Sequence, residues 1–173
     1  MRSKIKQRLF EKLVHNLEDM TKLYRTLLDA VRKEKDLLIK TDIEKLTENN
    51  IVKEQMLMKI KSLDGLRLNY ASELSLLIGA DHREPRLLEM AQKMTGPEGD
   101  RLRTLHATLE IITKRVVEIN RENATYAESA LKNVNAAMEN IKETFMGNQK
   151  TYQKKGTYQQ GSDKAGHLVS REA

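Results

Sequence analysis

Apolar side chains recur at intervals of three and four residues along most of the chain, and charged side chains fill the positions between them. This spacing places the apolar positions on one face of a helix. It predicts long helices over 4–39 and 42–78, a short helix over 84–94 and a third long helix over 99–146. The fold class is therefore all-α, an antiparallel helical hairpin with a longer third helix in a coiled-coil-like three-helix bundle.

Residues at the ends of the second helix carry boundary signals. Thr41 and Glu44 stand three residues apart, as in a capping box that starts a helix. Gly79 favours the left-handed backbone that ends one. Gly65 lies inside this helix, where glycine costs about 1 kcal/mol relative to alanine, and packing is expected to offset that cost.

Two further start signals lie between the second and third long helices. Asp81 precedes the short helix, which is expected to hold Pro85 in its first turn. Thr95 and Glu98 repeat the capping-box spacing just before the third long helix. The segment 79–99 is therefore expected to link the hairpin to the last helix.

The third long helix carries the most regular apolar spacing and exceeds the hairpin in length. At 1.5 Å per residue the first two helices measure about 50 Å each, and the third measures about 70 Å. About ten residues at its end are expected to extend past the hairpin, and an apolar stripe without cover is typical of a binding surface or an oligomer seam. The candidate partner-binding residues there are Val134, Ala137, Met138, Ile141, Phe145 and Met146.

Two asparagines, Asn120 and Asn123, flank the seam of the third long helix. Asparagine is unfavourable at a packed helical position unless its amide is hydrogen-bonded. One interpretation is that these amides fix the register of the helices, as a core asparagine does in coiled coils. The other is that they face the backbone of a partner, which adds them to the candidate partner-binding residues.

The last part of the chain differs in composition from the rest. Residues 148–173 are rich in Gln, Lys, Gly, Ser and Thr and show no apolar period. Such a segment cannot bury enough surface to offset its ordering entropy, which predicts a helical bundle over 1–147 followed by a flexible tail. The isolated rings of Tyr152 and Tyr158 indicate that something binds this tail.

Charge and composition narrow the class of protein. Of the net charge of +6, residues 1–12 hold five basic groups and one acid, and residues 147–173 hold five basic groups and two acids. The stretch 13–146 is then close to neutral, which does not favour nucleic acid as a partner. No apolar run is long enough to span a bilayer, and cysteine is absent. These features predict a cytoplasmic protein without stable membrane insertion.

Enzyme signatures are not found in the sequence. The four histidines lie on different predicted elements, and none has the Glu-x-x-His spacing of a helical di-iron site. No phosphate-binding loop and no nucleophile motif occurs. The chain is expected to have no catalytic activity, no metal and no cofactor.

Three short motifs follow one another along the chain. The second helix opens with an acid after a short break, in Thr41-Asp42-Ile43-Glu44-Lys45-Leu46. An Ile-Asn-x-x-Asn element follows late in the third long helix, in Ile119-Asn120-Arg121-Glu122-Asn123, and the tail then holds Tyr152-Gln153-Lys154-Lys155-Gly156. In this order the motifs resemble the FlgN family of flagellar type III export chaperones, over residues 5–160. Gln153 replaces the first glycine of that family's Tyr-Gly-x-x-Gly pattern.

The resemblance implies a carrier of flagellar hook-associated proteins such as FlgK and FlgL. It implies that their C-terminal helices bind the late third helix and that Tyr152 contacts the export gate protein FlhA. Gly156 belongs to the same motif, and Tyr158 is a second candidate for the gate contact. A structural adaptor that self-associates through the helix-three seam, and so forms a homodimer, is the alternative of a different class.

Overall fold

The computed structural model describes the backbone of residues 2–146 and the side chains of residues 2–142. The described part of the chain contains four helices and no strand: α1 Arg2–Lys40, α2 Ile43–Ile78, α3 Leu87–Lys93 and α4 Pro97–Met146. The all-α prediction is confirmed, and the ends of the three long helices lie within two residues of those expected. The chain divides into two compact units, Met1–Lys132 and Asn133–Ala173.

The turn between α1 and α2 differs from the expected capping box. Thr41 adopts a left-handed backbone with φ of 56°, its amide donates to Leu38, and the next amide donates to Leu37. This pair of bonds is the Schellman arrangement that ends a helix. The cap of α2 is consequently Asp42, whose side chain accepts a hydrogen bond from the amide of Lys45.

The connection from α2 to α4 also departs from expectation at two points. Gly79 ends α2 with φ of 74°, as predicted. Asp81, however, accepts hydrogen bonds from the amides of Arg83 and Glu84 in the loop, so α3 begins only at Leu87, after Pro85. The last helix starts at Pro97, two residues early, behind a left-handed Gly96.

The first unit has two apolar cores. The first core joins the start of α1, the end of α2, α3 and the start of α4. Its buried members are Leu9, Phe10, Leu13, Val14, Leu17, Ala71, Leu74, Leu87, Met90, Ala91, Met94 and Leu102. The second core joins the later parts of α1 and α4 to the middle of α2, through Leu27, Val31, Ile60, Ile112, Val116 and Ile119.

Salt bridges between α1 and α4 follow the same order along both helices. Lys6 pairs with Glu98 at 3.3 Å, Glu18 with Arg101 at 2.8 Å, and Lys35 with Glu122 at 2.7 Å. These side chains are partly exposed, so each pair adds little stability. Their order shows that α4 runs parallel to α1 and antiparallel to α2, which confirms the bundle in an up-down-up arrangement.

Three buried asparagines link the helices through directional bonds. The Asn16 amide donates to the carbonyl of Leu63 at 3.1 Å, and the Asn49 amide donates to Ala30 at 3.0 Å. Both join α1 to α2. Asn123 joins α4 to α1 by donating to the carbonyl of Val31 at 2.9 Å. Since apolar contacts alone tolerate sliding, these bonds specify the register of the bundle.

The cap of α2 gives a prediction for stability and its dependence on pH. The variant D42A removes the acceptor for the Lys45 amide and is expected to lower the thermal midpoint at neutral pH. The variant D42N retains an acceptor and is expected to melt close to the native chain. Circular dichroism melts measure both.

The hydrogen bond from the side chain of Lys45, followed by that from its amide, lowers the pKa of Asp42 below its ordinary value of 3.8. The contribution of the carboxylate to stability is therefore complete above that value and is lost as the pH falls through the lowered pKa. D42N should lack this acid-sensitive component. An identical acid dependence in D42N and the native chain would contradict the assignment.

Candidate functional site

The apolar face of α4 is buried over its first half and exposed afterwards. Ile112, Val116, Ile119 and Asn123 are buried against the other helices. Every described side chain from 124 to 142 is exposed, although the apolar residues continue at the same three- and four-residue spacing. Exposure of this face therefore begins near Tyr126. Helix lengths alone predicted that only the last ten residues of α4 would be exposed.

We call the exposed apolar positions that continue this spacing in the second unit the α4 stripe: Val134, Ala137 and Ile141. Val134 is 55% exposed and Ile141 57%. Met138, beside the stripe, is exposed to a similar degree. In the first unit, Tyr126 is 47% exposed. Within the second unit, Val134, Ala137, Met138 and Ile141 thus present aliphatic and thioether groups to solvent. Such a surface offers apolar contact area, and these four residues include no nucleophile or general base.

A polar cluster lies at the end of the buried part of α4. The Glu34 carboxylate accepts from the Lys53 ammonium at 2.6 Å and from the Asn123 amide at 2.9 Å, and all three residues are largely buried. The Asn123 amide also donates to α1 at Val31, and its Oδ1 has no partner among the described residues. A buried charge held by two donors tolerates little displacement. The cluster therefore fixes the last buried turn of α4.

The environment of Asn123 favours the interpretation that this residue fixes the register of the helices. Its side chain is only 3% exposed, and its amide donates to two groups of α1. Its use as a partner contact stays a prediction. Asn120 lies three residues earlier on α4 and is exposed. The two asparagines of the Ile-Asn-x-x-Asn element therefore occupy different environments.

Lys35 lies beside the turn of α4 at which burial ends in the first unit. Its ammonium bonds to Glu122 at 2.7 Å and lies 5.8 Å from the centre of the Tyr126 ring. The hydrogen bond, and then the charge of Glu122, raise the pKa of Lys35. The same bond lowers the pKa of Glu122. Both groups are charged at neutral pH and form a polar pair beside the exposed ring of Tyr126.

The remaining predicted site residues lie at or past the edge of the described chain. Phe145 and Met146 are in the last turn of α4, and their side chains lie outside the described ones. Tyr152, Gly156 and Tyr158 lie outside the described residues. The structure therefore brings together Val134, Ala137, Met138 and Ile141, while their use as a binding site and the role of the tail stay predictions.

The described residues form neither a metal-binding cluster nor a membrane-spanning helix. Among the described residues, no group of three or more His, Asp or Glu side chains is placed to hold a metal ion. None of the helices over 2–146 is long and apolar enough to cross a membrane.

Comparison with protein families identifies the chain. The family model described as FlgN protein matches residues 1–160, which include all four helices. The chain belongs to the FlgN family. Comparison with curated proteins and with solved structures gave no match. FlgN proteins are flagellar export chaperones, and this membership agrees with a site that offers apolar surface instead of reacting groups.

One large feature of this FlgN family chain was not expected from the sequence. The outer face of α2 also exposes large apolar side chains, among them Ile51, Met58 and Leu76. The signal was present, because apolar residues occupy nearly every angle around α2. A helix that is apolar on several faces exceeds what one hairpin contact can cover.

The polar cluster predicts a non-additive effect on stability. The variant K53M leaves the Glu34 carboxylate buried with one donor, which is expected to cost about 3 kcal/mol of unfolding free energy. The double variant E34M/K53M removes both charges and is expected to recover most of that loss. Urea unfolding followed by circular dichroism measures the difference.

Lys59 provides the matched control on the same helix, because it is exposed and has no ion-pair partner among the described residues. K59M should change the unfolding free energy by less than about 0.5 kcal/mol. Equal losses of unfolding free energy in K53M and K59M would show that Lys53 contributes no more to stability than an exposed lysine.

Proposed function

We propose that this chain is a cytoplasmic chaperone of type III export that binds hook-associated proteins of the FlgK and FlgL kind and delivers them to the flagellar export apparatus. The observation that carries the proposal is the α4 stripe, whose spacing is that of a packed helix face while its described residues are exposed. Membership of the FlgN family supports the proposal that the client is a flagellar protein.

The proposed client segment is an amphipathic helix that lies along the α4 stripe. Residues spaced by three and four on one helix pack against the corresponding residues of another. Val134 and Ile141 supply branched contacts two turns apart. Met138, at 65% exposure, supplies an unbranched side chain that adapts to different client sequences. Such a contact is reversible, which release during export requires.

The free energy gained by burying these side chains is large enough for a carrier to bind its client. Full burial of one large aliphatic side chain is worth about 1.5–3 kcal/mol, and Val134, Met138 and Ile141 are all more than half exposed before binding. Ordering and association costs offset much of the gain. The net result is moderate affinity, which suits a protein that must surrender its client.

We assign the gate contact to the tail, in accordance with the family resemblance. Tyr152 is the proposed anchor, with Gly156 in the same motif and Tyr158 as the second aromatic candidate. An aromatic ring with a hydroxyl is a frequent hot spot of protein interfaces. Client and gate would then bind different parts of the chain, so both can be engaged during hand-over.

The α4 stripe predicts a position-specific loss of client binding. V134E places a charge on the stripe and is expected to weaken binding of a hook-associated protein at least tenfold, since a carboxylate would be buried without a partner. Isothermal titration calorimetry with purified FlgK or FlgL from the same source measures the affinity.

V117E is the matched control. Val117 lies on the same helix and is 61% exposed, but its position is out of step with the three- and four-residue spacing of the stripe, so this variant should bind the client as the native chain does. Equal weakening by V117E and V134E would refute the stripe as the client site. Full client affinity in V134E, together with loss of self-association, would favour the structural adaptor instead.

The tail predicts a separation of two binding activities. Y152A is expected to retain client affinity and to lose most of its binding to the cytoplasmic domain of FlhA, with Y152F in between because it keeps the ring. Pull-downs and calorimetry against each partner measure the two affinities. A parallel loss of both would contradict the assignment of separate sites.

A further inference from the structure

The outer face of α2 points away from α1 and carries a second exposed apolar series. Its large members are Ile43, Ile51, Met58, Leu68 and Leu76, with exposures between 42% and 72%. Thr47, Glu54, Lys61, Gly65 and Ser72 occupy the positions between them at three- and four-residue spacing. We call these ten positions the α2 outer face. All lie within the first compact unit.

Gly65 lies on this face, and no contact or backbone conformation within the chain requires a glycine at this position. A glycine inside a helix costs about 1 kcal/mol relative to alanine, and packing was expected to offset that cost. The structure corrects this expectation, because a Cβ at Gly65 would meet no atom within 4 Å. Its backbone does not require glycine either, since φ is positive only at other positions. A close approach by another molecule would give the glycine a purpose.

The order of residues along the α2 outer face is complementary to a second, antiparallel copy of the same face. Two antiparallel copies of α2 that cross between Lys59 and Ile60 bring Ile51 opposite Leu68 and Ile43 opposite Leu76. The same register places Met58 opposite the stem of Lys61. Such a pairing of one surface with itself is the requirement for a twofold interface. Spacing by three and four allows the two helices to pack along about 50 Å.

The charges of the face agree with this register. Glu54 and Lys61 have no ion-pair partner among the described residues. In the antiparallel pair each Glu54 lies opposite the partner copy's Gly65, where the missing side chain leaves room for the carboxylate to reach the partner copy's Lys61. Symmetry forms this contact twice. A parallel pair would instead bring like charges together.

We propose that the α2 outer face is the interface of an antiparallel homodimer of this chain. Ser72 at the edge of the face donates to the carbonyl of His82, so the loop after α2 borders the interface there. The α4 stripe is not used, and the proposal does not depend on the proposed function. It differs from self-association through α4, which was the alternative that the sequence left open.

Charge reversal tests the register in the full-length chain. Sedimentation equilibrium of the native chain should give a reversible monomer–dimer curve. E54K and K61E should each raise the dimer dissociation constant roughly tenfold, since each creates two like-charge contacts. The double variant E54K/K61E should restore the native value. D36K, with the same charge change at an exposed position on α1, should leave it unchanged.

Cysteine pairs test the direction, because the native chain contains no cysteine. A mixture of the I51C chain and the L68C chain should form a disulfide-linked dimer on oxidation, while each chain alone should stay uncrosslinked. Crosslinking of I51C with itself would show a parallel pair and overturn the proposal. A native chain that is monomeric at every concentration would also overturn it, as would a dimer abolished by V134E and unaffected by E54K.

Discussion

The structure depends on hydrogen bonds from buried asparagine amides to carbonyl groups of neighbouring helices. Aliphatic contacts between helices are compatible with several registers, whereas a donor aimed at one carbonyl selects a single one. Asn16 and Asn49 fix α2 against α1, and Asn123 fixes α4 against α1. Asn123 is consequently the last buried position among the described side chains of α4, and its hydrogen bond holds that turn against α1.

The sequence was sufficient for the helices because their signals are local. Three- and four-residue spacing, a glycine at the end of α2 and a proline at the start of α4 each act within one or two turns. The choice between Thr41 and Asp42 as cap was not local. Both residue types can cap a helix, and the closure of α1 around Thr41 left that role to Asp42.

The candidate site could be predicted only in part, for a physical reason. Apolar spacing is the same before and after Asn123, and spacing alone does not reveal what covers each turn. Helix lengths gave the location of the uncovered end but placed its start too late. Asn120 and Asn123 are the same residue type, three positions apart on α4. The rotation of the helix between them puts only Asn123 beside Val31 and Glu34. On α2, the sequence contains more apolar residues than one contact face requires, but it does not show what the additional ones contact.

The glycine at position 99 has a consequence for which substitutions the protein accepts. It is buried, and a Cβ there would overlap the carbonyl oxygen of Met94. No side chain can therefore be introduced without moving the backbone that joins α3 to α4. Position 65, where a Cβ meets only open space, represents the opposite extreme. Two glycines of the same chain thus differ in mutational tolerance, one constrained by the monomer's own backbone and the other free of any constraint within it.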